Sequence, residues 1–291
     1  MRAHRIMSRV IVCVACLLSV VTALRSVSAL AQMVLPRHAP YPGGVAVVKL
    51  GETDAPPVLD VAYGGNRVLV IRRDDGVFGI VGIPLDAKPG PQKLHIAAGQ
   101  DAVQLVYETA FDIKARAYTV QHLKIDPRFL KPSAADQKRI DAEWPLIDAA
   151  KKHWSDTQPS TFALDLPATG RLSARFGQRR VLNGIESAPH AGLDVAIGSG
   201  TPVRAAAAGH VIVTGDYFYA GQSVFVDHGQ GFITLYIHLS RIDVKAGDTV
   251  ARGAPLGLSG ATGRVTGPHL HWSVLLNGVY VDPELFLRVG R

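Results

Sequence analysis

Cysteine is nearly absent from this chain. Both copies, Cys13 and Cys16, fall within the first 31 residues, so the remainder can have neither a disulfide framework nor a thiol nucleophile. An H-E-x-x-H motif is also missing, which excludes the helical zincin arrangement. Charged residues are sparse at 19%, and the formal net charge is +7. Four of the basic residues (Arg2, Arg5, Arg9, Arg25) sit in the first 31 residues with no acid beside them; without them the charge is +3. That surface is mildly basic and lacks the concentrated charge of a nucleic-acid footprint, so no nucleic-acid partner is expected. It would suit an anionic polymer.

Residues 1–31 read as a secretory signal. A basic start is followed by an apolar run over 10–24, and Ala29-Leu30-Ala31 then offers small residues for cleavage before Gln32. The run stops at Arg25, short of the ~20 residues of a spanning helix, so no stable membrane insertion is expected after cleavage. Cys16 lies inside the run rather than after it, which argues against a lipid anchor. The expected destination is the periplasm.

The rest is punctuated by turns, with 29 Gly and 18 Pro in the whole chain, as in a mainly β protein. Short strands are predicted at 45–49, 67–71, 77–82, 93–96 and 118–124, separated by Asp74-Asp75-Gly76, Pro84 and Pro89-Gly90-Pro91. They predict a small β-sandwich over 41–126. Its histidines, His95 and His122, are single and carry no constellation. Residues 127–160 read as a helical linker. Ile140, Trp144, Ile147 and Ala150 recur at helical spacing from Ser133 onward, and Pro145 predicts a kink or a second helix. Residues 161–291 form a further domain, predicted as an antiparallel sheet. Its strands lie at 209–214, 223–227, 233–237 and 269–276, with turns at 227–229, 260–263 and Asn277-Gly278.

The chemistry concentrates in that last domain. His190-Ala191-Gly192-Leu193-Asp194 is one motif and His269-Leu270-His271, after Gly267-Pro268, is another. On a strand, residues two apart share a face, so His269 and His271 project together. Zinc hydrolases use three protein ligands and keep a fourth position for water, whose pKa falls to about 7. His190 and Asp194 would supply two ligands, and one histidine of the pair the third. A histidine left unligated beside the metal, such as His238 in Tyr236-Ile237-His238-Leu239-Ser240, could take a proton or stabilise an oxyanion. His210 reads as a strand-edge residue and His228 as a turn residue, outside the pattern. Any one histidine alone would be an ordinary turn or core residue; the clustering is what points to a site.

These motifs resemble the lysostaphin-type zinc endopeptidases, metallopeptidase family twenty-three. H-x-x-x-D, a separate histidine in a Y-x-H-L-S-like strand, and G-P-H-L-H stand here in that order. Flanking runs agree, among them Phe176-Gly177-Gln178-Arg179-Arg180 and Ser259-Gly260-Ala261-Thr262-Gly263. The resemblance covers roughly residues 172–287. It implies an antiparallel lysostaphin-type sheet with His190, Asp194 and His271 as ligands to one zinc per chain and His238 and His269 as catalytic histidines. The implied activity is a metalloprotease: a metalloendopeptidase that hydrolyses stem or cross-link peptides of peptidoglycan. The upstream region is similar, more weakly, to an N-terminal domain found in some periplasmic members, and that domain or the linker is expected to contact the catalytic groove.

Two other readings compete. A non-catalytic member that binds peptidoglycan or activates amidases would be favoured by a missing ligand, and none is missing. A lipoyl-type carrier is suggested by 244–253, but no lysine sits at a suitable hairpin tip. Substrate choice is expected to lie in loops 217–222 and 260–266.

Overall fold

The computed structural model describes residues 33–55, 57–100 and 103–288. The secretory signal expected over 1–31 lies outside these residues. Among the described residues, no helix is long and apolar enough to cross a membrane.

The architecture is mainly β with antiparallel sheets. A ten-stranded sheet forms the C-terminal half. Along its main path the strands run Thr249–Val250, Gly209–Tyr217, Gly221–Gly229, Phe232–Ile242, Leu270–Leu276, Leu193–Ala196 and Arg171–Ala174. Local turn chemistry sets the hairpins. Asn277 and Gly278 both adopt positive φ (56° and 78°), the type I′ conformation whose twist matches the flanking strands. Gln230 and Gly231 do the same (49° and 72°). The turn expected at 227–229 therefore falls slightly later. Asp227 and His228 lie on the strand, and His228 is buried between Ala208 O at 2.7 Å and Thr234 Oγ1 at 2.8 Å. Glutamine has little intrinsic preference for positive φ, which is why the sequence pattern misplaced this turn.

Upstream, Val45–Gly51, Gly76–Gly82 and Leu69–Arg73 form a three-stranded sheet. It faces a four-stranded sheet of Asn66–Arg67, Val58–Tyr63, Gly90–Gln100 and Val103–Ile113. Alternation along the strands gives the small sheet two buried faces. Ala46, Val48, Val77 and Val81 pack with Leu94, Ile96 and Phe111 of the four-stranded sheet. The residues between them, Val45 and Ile80, join Leu69 and Ile71 in one core with Trp272, Val274 and Leu276 of the large sheet. The two halves thus share apolar packing. Two polar links reinforce it: Gly82 N donates to Asn277 Oδ1 at 2.9 Å, and Val70 N to Gln230 Oε1 at 3.1 Å.

The intervening segment departs from expectation in two ways. The strand placed at 118–124 does not join the sandwich. Val120–Leu123 runs parallel to Arg179–Leu182, with Gln121 opposite Arg180, in a separate sheet with Ile185–Ser187. A parallel pairing between segments almost sixty residues apart leaves no local sequence signature. The helix Ala134–Lys151 is single and continuous, with Ser133 as its N-cap and Pro145 inside it. Proline removes one i→i−4 hydrogen bond, but the helix is held on both sides of it. Before Pro145, Glu143 Oε2 accepts from Phe218 N at 2.8 Å; after it, Ile147 and Ala150 pack against Tyr217, Leu235 and Leu275. Of the apolar stripe expected along the helix, Ile147 and Ala150 pack inward, while Trp144 turns away and is 63% exposed.

Candidate metal centre

Register places the site. Leu193–Ala196 and Leu270–Leu276 are antiparallel neighbours, with Asp194 directly opposite His271. Opposed side chains on one sheet face lie close together, and Asp194 Oδ1 is 2.7 Å from His271 Nδ1. His190 precedes the first strand in a segment pinned by Gly177 N→His190 O and His190 N→Gln178 O, both 2.8 Å. Its Nε2 is 2.9 Å from both Asp194 Oδ1 and His271 Nδ1. All three side chains are buried. Gly192 allows this approach: a Cβ there would fall 2.4 Å from Trp272 O and 2.7 Å from His271 Nε2.

The remaining atoms of each group are held by neighbours. His190 Nδ1 donates to Arg175 O at 2.9 Å, leaving the Nε2 lone pair for the centre. His271 Nε2 donates to Ser273 Oγ at 2.8 Å, leaving Nδ1. Arg180 Nη2 donates to Asp194 Oδ2 at 3.0 Å. Burial pushes the Asp194 carboxyl upward, but its close contacts with the imidazoles of His190 and His271 outweigh this and hold the group well below the carboxylate range, so it is ionised. Burial lowers His271 to about 4 against the pull of Asp194, so its ring is neutral at neutral pH. Two imidazole lone pairs and a carboxylate oxygen therefore converge within 2.9 Å of one another. One shared proton cannot satisfy three acceptors; a cation can. The mixed nitrogen and oxygen set suits zinc better than magnesium or calcium, which prefer oxygen alone.

Two further histidines stand beside this triad. His269 shares a strand face with His271; its Nδ1 donates to Gly267 O at 2.9 Å and its Nε2 lies 3.7 Å from Asp194 Oδ1. His238 has φ 64°, a left-handed conformation a non-glycine residue seldom adopts. The Phe232–Ile242 strand is irregular just beyond it, between Leu239 and Arg241 in its pairing with Pro255–Ser259. Strain of this kind costs about 1–3 kcal/mol and gathers at functional positions. His238 Nδ1 donates to Thr262 O at 2.8 Å, and its ring centroid is 4.9 Å from that of His269 and 6.1 Å from that of His271. Burial, and then the neighbouring His271 and His269, hold its pKa well below the ordinary histidine value. The structure thus brings His190, Asp194, His271, His238 and His269 to one place, while His95, His122 and His210 lie elsewhere.

A cleft of about 260 Å³ opens onto Asp194, His238, His269 and His271. Its other walls include Arg180, Arg264 and, from the upstream strand and its continuation, Gln121, Leu123 and Ile125. Spacing alone did not single out Arg180, Ser273 or Gly192 as parts of the site, although Arg180 lies in the 176–180 run and Gly192 inside the first motif.

Residues 188–283 match peptidase family M23, and residues 38–109 match the peptidase family M23 N-terminal domain. Among curated relatives, peptidoglycan DD-endopeptidase ShyA of Vibrio cholerae is 47% identical over 109 residues, 37% of this chain and 25% of that protein. Peptidoglycan DD-endopeptidase ShyB of the same organism is 35% identical over 157 residues, 54% of this chain and 33% of that protein. The matched region thus spans between a quarter and a third of these relatives' length. A crystal structure of a Pseudomonas aeruginosa protein assigned to peptidase M23 overlays with a TM-score of 0.71 and 44% identity, covering 86% of this chain and 96% of the other. With that likeness running through both halves, the chain belongs to peptidase family M23.

Proposed function

We propose that the protein is a secreted zinc metalloendopeptidase that hydrolyses stem or cross-link peptides of bacterial peptidoglycan. The observation that carries the reading is the convergence of His190 Nε2, Asp194 Oδ1 and His271 Nδ1 at the wall of a cleft that also holds His238 and His269. The peptidoglycan substrate is carried over from the relatives named as peptidoglycan DD-endopeptidases. Export to the periplasm rests on the signal pattern of residues 1–31.

His190, Asp194 and His271 would hold one zinc ion per chain. Bound there, zinc supplies a Lewis acid that polarises the scissile carbonyl and makes water a competent nucleophile near pH 7. Arg180 and Ser273 hold Asp194 and His271 in orientation. His238 and His269 each donate Nδ1–H to a backbone carbonyl, which leaves both Nε2 lone pairs available. His238 is kept neutral by burial and can accept the proton of the attacking water at Nε2 and then return it to the leaving amine; His269 Nε2, 3.7 Å from Asp194 Oδ1 on the wall of the same cleft, can accept a hydrogen bond from the water or the amine. The test is mass analysis of fragments released from purified cell walls by the zinc-loaded protein. Peptide-bond cleavage products are expected; intact peptides, or products cut only in the glycan, would refute the reading.

A further inference from the structure

The cleft carries more positive charge than its own residues compensate. Its charged walls are Arg180, Arg264 and Asp194. Arg180 takes one oxygen of Asp194, and the other faces His190 and His271. Arg264 is left with no carboxylate of its own. Its guanidinium sits over the Tyr219 ring, 5.0 Å from the centroid, and no hydrogen bond or ion pair to that guanidinium is found among the described residues. Stacking rewards the flat face of a guanidinium but does not neutralise it. Burial, and then the nearby charge of Arg180, both act against protonated Arg264. Two guanidiniums held together in a partly buried cleft are costly unless an anion joins them.

Two further atoms in the same wall lack partners. Arg180 Nε and Gln121 Oε1 are buried without a hydrogen bond, and the two residues are opposite one another on paired strands. Buried polar atoms without partners are unusual in native proteins, and each calls for an explanation. One is a donor and the other an acceptor. A peptide bearing a carboxylate answers both: its anion meets the guanidiniums, and its amide N–H meets Gln121.

We propose that Arg264, with Arg180 and Gln121, forms a subsite that selects peptides carrying a free carboxylate close to the scissile bond. This inference rests on the peptidase reading for its substrate class. It assigns the upstream strand Val120–Leu123 a direct part in recognition rather than a role as spacer alone. Arg264 comes from loop 260–266 and Tyr219 from loop 217–222, so both loops shape the subsite.

The test is an NMR titration of the full zinc-loaded protein with two pairs of synthetic peptides. The first is acetyl-D-Ala-D-Ala and its C-terminal amide, which differ in a main-chain carboxylate. The second is acetyl-D-Ala-D-Glu-amide and acetyl-D-Ala-D-Gln-amide, which differ in a side-chain carboxylate. A charge-assisted guanidinium contact predicts roughly 10- to 100-fold tighter binding of the carboxylate member of at least one pair, and the pair that responds identifies where the carboxylate lies. Arg264→Met should abolish the preference, Arg264→Lys should keep part of it, and Gln121→Ala should weaken both members of the pair alike. Equal binding within both pairs would overturn the subsite. A preference that survives in a folded Arg264→Met protein would overturn it too, since Arg264 would then not be the residue that meets the carboxylate. Carboxylate preference without cleavage of any cell-wall peptide would remove the peptidase reading and leave the subsite standing; cleavage without preference would do the reverse.

Discussion

Separating the residues that hold the metal from those that act beside it is the sharpest test of the centre. Three replacements are informative because the structure gives each a different expected outcome. His271→Ala removes a ligand nitrogen and also leaves Asp194 and His190 without their shared neighbour, so zinc and activity should be lost together. Ser273→Ala leaves every ligand in place but removes the oxygen, 2.8 Å from His271 Nε2, that fixes which nitrogen faces the centre. Loss of such a supporting hydrogen bond weakens metal affinity about 10- to 100-fold, so activity should fall at low zinc and recover when zinc is added. His238→Ala touches none of the three ligand atoms. It should keep its zinc and lose about 10²- to 10⁴-fold in kcat, the range for one proton-transfer group. Zinc content after dialysis against a graded chelator, alongside turnover of cell-wall fragments, resolves all three. Loss of zinc from His238→Ala would refute the division of roles, and so would an activity loss in Ser273→Ala that added zinc cannot repair.

Other expectations follow from particular contacts. Gly192→Ala should lower zinc affinity in a protein that still folds, because the new methyl group collides with Trp272 O and the His271 ring; unchanged zinc binding would show that the strand can shift. His228, remote from the centre, is lowered from 6.5 to about 4 by burial, opposed by its bond to Ala208 O. A histidine depressed in the folded state binds fewer protons there than in the unfolded chain, so its contribution is intact above pH 6.5 and falls away towards pH 4, by about 3 kcal/mol in all. Urea unfolding of His228→Phe should show a flatter acid limb than the parent, and parallel limbs would contradict this. Shortening the chain to begin at Thr161 strips Val45, Leu69, Ile71 and Ile80 from the shared core. The shortened protein should melt well below the full one, and a cooperative unfolding transition at an unchanged temperature would refute that dependence.

What could be read from the sequence followed from how local each signal is. The alternating strands at 45–49 and 77–82 and the Asn277-Gly278 turn are written in consecutive residues, and the corresponding strands and turn occur there. The site residues stood out because histidine and aspartate at fixed spacing in a glycine-rich domain are chemically conspicuous. Arg180 did not, since an arginine beside Arg179 looks like surface charge until the fold turns it towards Asp194. Gln121 was hidden for a stronger reason: its importance comes from a parallel pairing that only the tertiary fold creates. Pro145 suggested a second helix because its cost is set locally, while the contacts that keep Ala134–Lys151 one continuous helix are not.

The middle sheet explains why the upstream half is difficult to regard as a detachable spacer. A sheet with one wet face can be removed at little cost to its neighbour. Here Val45 and Ile80 point into the core containing Trp272, while Ala46 and Val81 point the other way into the sandwich. Trp272 follows His271 in sequence and is opposite Leu193, the residue before Asp194. Apolar packing supplied by the upstream half therefore lies directly behind the strand pair that sets the Asp194–His271 register. Gly82 shows how close the contact is, since a Cβ there would come within 2.5 Å of Leu276 O on the same strand as His271. A bulkier residue at position 82 must push that strand or the sandwich aside, and interiors this tightly filled pass such displacement on rather than absorbing it. On this geometry, Gly82→Val should lower both the melting temperature and the zinc affinity, although position 82 lies in the sandwich and touches no ligand. A variant with reduced stability but unaltered zinc affinity would show that the upstream half supports the fold without bearing on the metal centre.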